Sequence, residues 1–240
     1  MNILLTSVGR RSYIVDYFKK AIGEKGKVFA ANSEELTTGM LAADKAIRVP
    51  KVNDPEYINT LLSICKENNI QLALSLFDID LPYLAKSRKK FIDAGVELVV
   101  SDPNVIDIAN DKLKTYFYLK DKGVLTPKTY TDLDKVSNAI HKKEISFPLI
   151  IKPRWGMGSL SIFKAETTED LLFFYEYSLR QIKKSYLNLI SDEDINNSVI
   201  IQEFIEGKEF GLDVFNDIAG EYLLTIAKHK RAMRSGETDI

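Results

Sequence analysis

The sequence predicts an α/β chain in two parts: an N-terminal half on a parallel sheet, then an α+β block on an antiparallel one. Three observations carry this. Over residues 1–102, short β-rich runs alternate with helical stripes, as βαβ crossovers require. After Pro148 short strands follow one another through tight turns. At 240 residues, 45% hydrophobic and 28% charged, the chain is long enough for about 1.6 domains and a core without disulfides or metals.

The elements follow in order. Ile3 to Val8 is an apolar run, and Ser12 to Ala21 reads as a helix. Lys27 to Asn32 and Ala46 to Pro50 read as strands. Asn53-Asp54-Pro55 predicts a helix start, with a capping residue and then Pro in the first turn. Ile58, Leu61, Leu62 and Cys65 continue that helix at helical spacing. Leu72 to Leu76 is a strand, Leu81 to Ala94 a helix stopped by Gly95, and Val96 to Val100 a strand. Asp102-Pro103 opens a further helix and marks the expected boundary between domains 1–102 and 103–240.

Asn110 to Lys122 reads as a helix closed by Gly123, and Thr126-Pro127 as an extended joint. Leu149 to Lys152, the loop Trp155-Gly156-Met157-Gly158-Ser159 and Leu160 to Ala165 predict a β-hairpin. Thr167 and Asp170 have capping-box spacing, and Leu171, Tyr175, Leu179, Ile182 and Tyr186 trace a helical stripe. Lys183 to Asn197 reads as a long polar connection. Ser198–Ile205, Glu209–Phe215 and Tyr222–Ala227 read as successive strands of an antiparallel sheet.

Composition excludes several function classes. The net charge of −1 supplies no global attraction to nucleic acid or anionic membrane. No apolar stretch approaches the roughly 18 residues of a membrane span. The N-terminus has no basic region before its apolar run, the wrong order for a signal peptide, so a reducing cytoplasm is the expected compartment. The single cysteine, Cys65, excludes an intramolecular disulfide framework and a multi-cysteine zinc site. It lies on an apolar helix stripe, as a core residue does. Neither His141 nor His229 has an evident metal partner.

Two local features point to chemistry. Lys152 at a strand end is followed by Gly156, Gly158 and Ser159. Glycines let backbone N–H groups approach phosphate oxygens, and a lysine adds a point charge. The run is neither a Walker A loop nor a dinucleotide fingerprint, and Gly9 is the only glycine of the first strand–helix turn. The bland alternative is a plain β-turn. The second feature is Gln202-Glu203-Phe204-Ile205, where a strand's backbone groups can read a purine's edge, with Glu209 beyond the Gly207 turn as a ribose acceptor. Its alternative is a half-buried strand ending in a solvated turn.

Together these features resemble the ATP-grasp family. The residues that carry the resemblance are Asn110-Asp111-Lys112, Phe147 to Pro153, Gly156 to Ser159 and Gln202 to Glu209, in the family's order. Within that family the chain resembles proteins like the carbamoyl phosphate synthase large subunit. The resemblance implies a pre-ATP-grasp α/β domain followed by an ATP-grasp domain that is incomplete at its C-terminal end. It implies ATP and Mg²⁺ as cofactors, with a small carboxylate and an amine as substrates. Lys112 and Lys152 would contact phosphates or the adenine edge, and Gly156, Gly158 and Ser159 would close over the phosphates. Glu203 and Ile205, flanked by Gln202 and Phe204, would hold adenine through their backbone, and Glu209 the ribose. Arg231 or Arg234, in the basic stretch Lys228 to Thr238, would stabilise developing charge. A solvated tail is the alternative for that stretch.

Arg10 and Arg11 follow the first strand at the sheet edge where open α/β folds bind ligands, and are candidates for a substrate carboxylate or phosphate. Asp78 and Asp80 occupy a similar edge, as amine ligands or, for Asp80, as a helix cap. After Gln202 no Glu-x-Asn pair supplies the oxygen ligands that magnesium needs, so the metal ligands are unassigned. The expectation is a fragment, or a homo-oligomer or partner chain that completes the fold. A missing layer would expose the apolar face of the last strands. The function expected is an ATP-dependent carboxylate–amine ligase working through an acyl phosphate, or its ATP-binding portion. The alternative is a non-catalytic nucleotide-binding subunit that needs a partner for magnesium and turnover. The weak first glycine turn disfavours a dinucleotide oxidoreductase, and the short basic run without aromatics disfavours nucleic acid.

Overall fold

The computed structural model describes residues 1–156, 161–185, 187–231, 233–234 and 237–238, with backbone alone at 189, 190, 192, 193, 233, 234, 237 and 238. The chain divides into two compact units, 1–107 and 108–240.

The first unit contains β1 (Asn2–Thr6), α1 (Ser12–Ile22), β2 (Val28–Asn32), α2 (Thr38–Ala42), β3 (Lys45–Arg48), α3 (Tyr57–Glu67), β4 (Ile70–Ser75), α4 (Leu81–Asp93) and β5 (Glu97–Val99). The strands are parallel, in the order β3-β2-β1-β4-β5. Side chains alternate across a strand, so Ile3 and Leu5 enter one core with Val15, Ile22 and Met40. Leu4 enters the other, with Leu61, Ile64, Cys65, Leu84 and Phe91. Both faces are thus covered, which is why the strands read as nearly continuous apolar runs. Burial pushes the Cys65 thiol up to about 12, which suits a core residue and not a nucleophile.

Most helix ends follow their local chemistry. Gly95, at φ +76°, closes α4, where Gly95 N and Val96 N donate to the carbonyls of Ile92 and Phe91. One start differs from expectation. Helix α3 begins at Tyr57, and its N-cap Glu56 makes no side-chain cap. The Asp54 carboxylate instead accepts from Glu56 N at 2.9 Å, so Asp54-Pro55 forms a turn ahead of the helix. The five-residue α2 is too short to show periodicity and was not expected from the sequence.

Helix α5 (Pro103–Ala109) follows Asp102, whose side chain accepts from Asn104 N. The second unit continues with α6 (Lys112–Asp121), β6 (Thr129–Tyr130), α7 (Leu133–His141), β7 (Leu149–Pro153), β8 (Phe163–Ala165), α8 (Thr168–Lys184), α9 (Asn188–Ser191) and β9 (Val199–Glu203). After these come β10 (Phe210–Asn216), β11 (Tyr222–His229), β12 (Met233–Arg234) and β13 (Glu237–Thr238). An antiparallel sheet in the order β6-β9-β7-β8 contributes Leu149, Ile151, Val199 and Ile201 to a core with Val136 of α7 and Leu171, Tyr175 and Ile182 of α8. The Thr167–Asp170 capping box opens α8.

Two expectations for this unit need correction. The stretch 183–197 is not a plain connection. Helix α8 runs through Lys184, α9 follows, and Leu187 is buried in the core. Tyr186 lies outside the described residues. Nor do the last three long strands share a sheet. Both edges of β9 are taken by β6 and β7, so β10 and β11 pair with each other as a separate ribbon. That ribbon exposes Phe210, Leu212, Val214, Tyr222, Leu224 and Ile226.

Candidate functional site

The candidate site in the second unit starts from β7. Along this strand Leu149, Ile151 and Pro153 are buried against the helices, and Ile150 and Lys152 lie on the opposite face. Direct cross-strand partners share a face, so Gln202, opposite Ile150, and Lys164, also opposite Ile150, join Lys152 there. Burial lowers the Lys152 pKa below the ordinary lysine value, and the charge of Glu209 acts in the other direction. The Lys164 ammonium lies 4.9 Å from the centre of the Phe204 ring. Two cations and a polar amide therefore occupy one sheet face.

The N-terminus of α6 is tied to the chain just past β7. Asp111 caps the helix, accepting from Leu113 N at 2.9 Å and Lys114 N at 3.2 Å. The same carboxylate takes a two-pronged bond from Arg154, Nε to Oδ1 at 2.8 Å and Nη2 to Oδ2 at 2.7 Å. Nη1 of Arg154 donates to Asp194 at 3.0 Å. The Asp111 bond, with the charges of both acids, raises the Arg154 pKa against the opposing effect of burial. The guanidinium lies 4.3 Å from the centre of the Trp155 ring. Lys112, the first residue of α6, donates from its backbone N to the Arg154 carbonyl at 3.2 Å, and from Nζ to the Gly156 carbonyl at 2.8 Å.

Gly156 adopts φ +99°, and a Cβ there would lie 2.4 Å from a Leu187 methyl, so this position requires glycine. Gly158 and Ser159 lie outside the described residues. On β9, Gln202 donates to the Thr129 hydroxyl at 2.8 Å. Glu203 N donates to the Lys128 carbonyl and its carboxylate accepts from Lys128 N, so its backbone amide is committed. The ladder ends there, and the exposed Phe204 and Ile205 continue beyond it. Glu209 is exposed and pairs with Lys230 at 2.7 Å. Arg231 is exposed just after Lys230, and the side chain of Arg234 on β12 lies outside the described residues.

In the first unit, Arg10 and Arg11 lie in the turn from β1 to α1, with Arg11 at the helix N-cap position. Asp80 is neither an exposed amine ligand nor a side-chain cap, contrary to both expectations. It is fully buried and α4 receives no side-chain cap. One of its oxygens accepts from Thr6 (2.9 Å), Ser7 (2.7 Å), Ser75 (2.8 Å) and Tyr57 (3.0 Å). Burial and the charge of Asp80 raise the Tyr57 pKa, which keeps the phenol a donor. Asp78 is exposed.

Sequence reasoning missed Arg154, Asp194 and the hydroxyl cluster around Asp80. Arg154 meets a partner 43 residues earlier, and no local spacing encodes that pairing. The Asp111-Lys112 pair held a signal for Asp111, since an acid directly before a helix caps it.

Comparison with known proteins bears on what this arrangement serves. Residues 3–99 match the profile of the PylC-like N-terminal domain, and residues 109–237 that of the ATP-grasp domain. The chain is 24% identical over 220 residues to a carbamoyl-phosphate synthase of Methanobrevibacter smithii, covering 90% of this chain and 52% of that one. It is 23% identical over 155 residues to a D-alanine–D-alanine ligase of a Marinomonas species, covering 61% and 44%. Among solved structures, the biotin carboxylase domain of Hydrogenobacter thermophilus 2-oxoglutarate carboxylase, crystallised with MgADP, ADP and bicarbonate, has a TM-score of 0.71 at 18% identity. That likeness covers 99% of this chain and 51% of that one. The chain thus spans about half the length of these relatives, or less.

Proposed function

The chain belongs to the ATP-grasp family, and on that premise we propose that it binds ATP as a carboxylate–amine ligase, or as the ATP-binding portion of one. The half-buried Lys152, sharing a sheet face with Gln202 and Lys164 and lying within the field of Glu209, carries this reading. A cation set apart from bulk water attracts phosphate more strongly than a solvated one does. Lys112 and Lys152 would hold the phosphates, with Gly156, Gly158 and Ser159 above them. The Glu203 carbonyl and the backbone of Phe204 and Ile205, beside Gln202, would hold adenine, and Glu209 the ribose. Arg231 or Arg234 would face developing charge, and Arg10 and Arg11 would hold the substrate anion. ATP supplies the phosphoryl group that converts a carboxylate to an acyl phosphate, from which an amine then displaces phosphate. Among the described residues no group of three or more His, Cys, Asp or Glu is placed to hold a metal ion. No residue is therefore assigned to magnesium, and no step is derived through it. No described helix is long and apolar enough to cross a membrane.

The test is substrate-dependent ADP release with magnesium and pooled carboxylates and amines, alongside calorimetric titration with ATP. Binding with turnover supports the ligase reading, and absence of ATP binding overturns it. The apolar exposure of the β10–β11 ribbon favours a second reading, a nucleotide-binding subunit completed by another polypeptide. Its expected results are ATP binding without turnover, and self-association in light scattering.

The shifted Lys152 pKa gives a pH prediction. Between its lowered pKa and the ordinary value of 10.5, the unfolded chain binds more protons than the native one. In the absence of nucleotide, this residue's contribution to stability therefore rises with pH across that window. Phosphate binding needs the protonated ammonium, so ATP affinity falls across the same window. Calorimetric titrations at stepped pH should show the fall begin below the ordinary lysine value, and Lys152→Ala should flatten it.

A further inference from the structure

Arg154 has an arrangement that the proposed roles do not use. Its side chain is 11% exposed and that of Asp111 3%, so the two-pronged pair between them is shielded from water. Such a pair uses two nitrogens of one planar guanidinium, and a lysine ammonium does not reproduce that rigid fork of parallel bonds. The main chain of Arg154 is held as firmly. Its N–H donates to Ser198 O at 2.8 Å, which extends the β7–β9 ladder by one residue, and its carbonyl accepts from Lys112 N. Arg154 stands two residues after Lys152, at the bend that directly follows β7. One residue therefore connects, through its two ends, the helix that starts with Lys112 and the strand that carries Lys152.

We propose that Arg154 is a positioning residue for phosphate binding: with Asp111 it forms a buried clamp that fixes the spacing between the ammonium groups of Lys112 and Lys152. The inference rests on the reading of those two lysines as phosphate ligands. The Arg154 guanidinium is assigned no contact with the nucleotide, because its charge is already paired inside the protein: three of its five N–H groups, one on each nitrogen, are engaged by Asp111 and Asp194. Releasing the clamp leaves both ammonium charges in the protein and lets the helix start drift relative to the strand. A charge that is misplaced by about 1 Å costs up to about a hundredfold in what it stabilises.

The experiment compares ATP with adenosine on the intact chain by calorimetry, with thermal unfolding in parallel. Arg154→Lys and Asp111→Asn are each expected to weaken ATP about ten- to hundredfold and to leave adenosine within about twofold. A purely structural role would weaken both ligands together, and that result overturns the proposal. The double variant is expected to be no worse than the poorer single, because each change opens the same clamp. If Arg154 touched phosphate directly, Asp111→Asn would free it and leave ATP affinity unchanged or higher, which also overturns the proposal. Lys152→Ala separates the two layers. If it leaves ATP affinity unchanged, the site reading itself is wrong. If it weakens ATP while the clamp variants do not, the site stands and the clamp falls. Should Arg154→Ala fail to fold, the conservative Arg154→Lys still decides.

Discussion

Replacing Asp80 with alanine is expected to lower the stability of the chain by about 3–5 kcal/mol, a few times the cost of one stranded buried donor. The carboxylate is fully buried, and four hydroxyl groups from three separate parts of the chain converge on one of its oxygens. Thr6 closes β1, Ser7 begins the turn after it, Ser75 ends β4 and Tyr57 opens α3. Alanine would strand these donors, and each buried donor left unpaired costs about 1–3 kcal/mol. Some of them would find new partners, which is why the total stays below the sum. Asp80→Asn should lose less, because its amide keeps one carbonyl acceptor. Urea unfolding checks both: the midpoint should fall steeply with an unchanged slope. A loss under about 1 kcal/mol for alanine would mean that the hydroxyls re-pair easily and that the hub is incidental.

Lys152→Ala is expected to weaken ATP about a hundredfold, or about 2.7 kcal/mol, within the range for truncating one partner of a desolvated charge pair. The fold should survive, since alanine removes a charge whose burial is unfavourable in the absence of nucleotide. Adenosine affinity should change far less than ATP affinity, because the ammonium has no role at a base. Unchanged ATP affinity in a folded variant would remove Lys152 from the site.

Much of the fold was legible because it rests on short-range patterns. The runs at Ile3 and Val28, the stop at Gly95 and the Thr167–Asp170 box are each set within a few residues. What stayed hidden was long-range or too short. Helix α2 and strand β6, with five and two residues, have no room for a period. The separation of β10–β11 from the four-stranded sheet depends on β6 reaching β9 first, and no property of residues 199–229 alone reveals it. The candidate site divides in the same way. Lys152 and Gly156 could be read from residue type and spacing. The clamp of Arg154 could not, because its meaning comes from an acid on another element. Asp80 stands out in the sequence for its place after a strand and reads as an amine ligand or a helix cap, because sequence distinguishes poorly between such a carboxylate and one that gathers hydroxyls.

The position of Asp80 in the strand order bears on what the first unit can admit. The chain reverses its winding between β1 and β4, and at such a switch point a doubly wound sheet ordinarily opens a crevice that receives a dinucleotide's pyrophosphate. Here the lips of that crevice are stapled. Hydroxyls from the ends of both strands close on one buried carboxylate, which holds the two strand ends together where such a crevice would open.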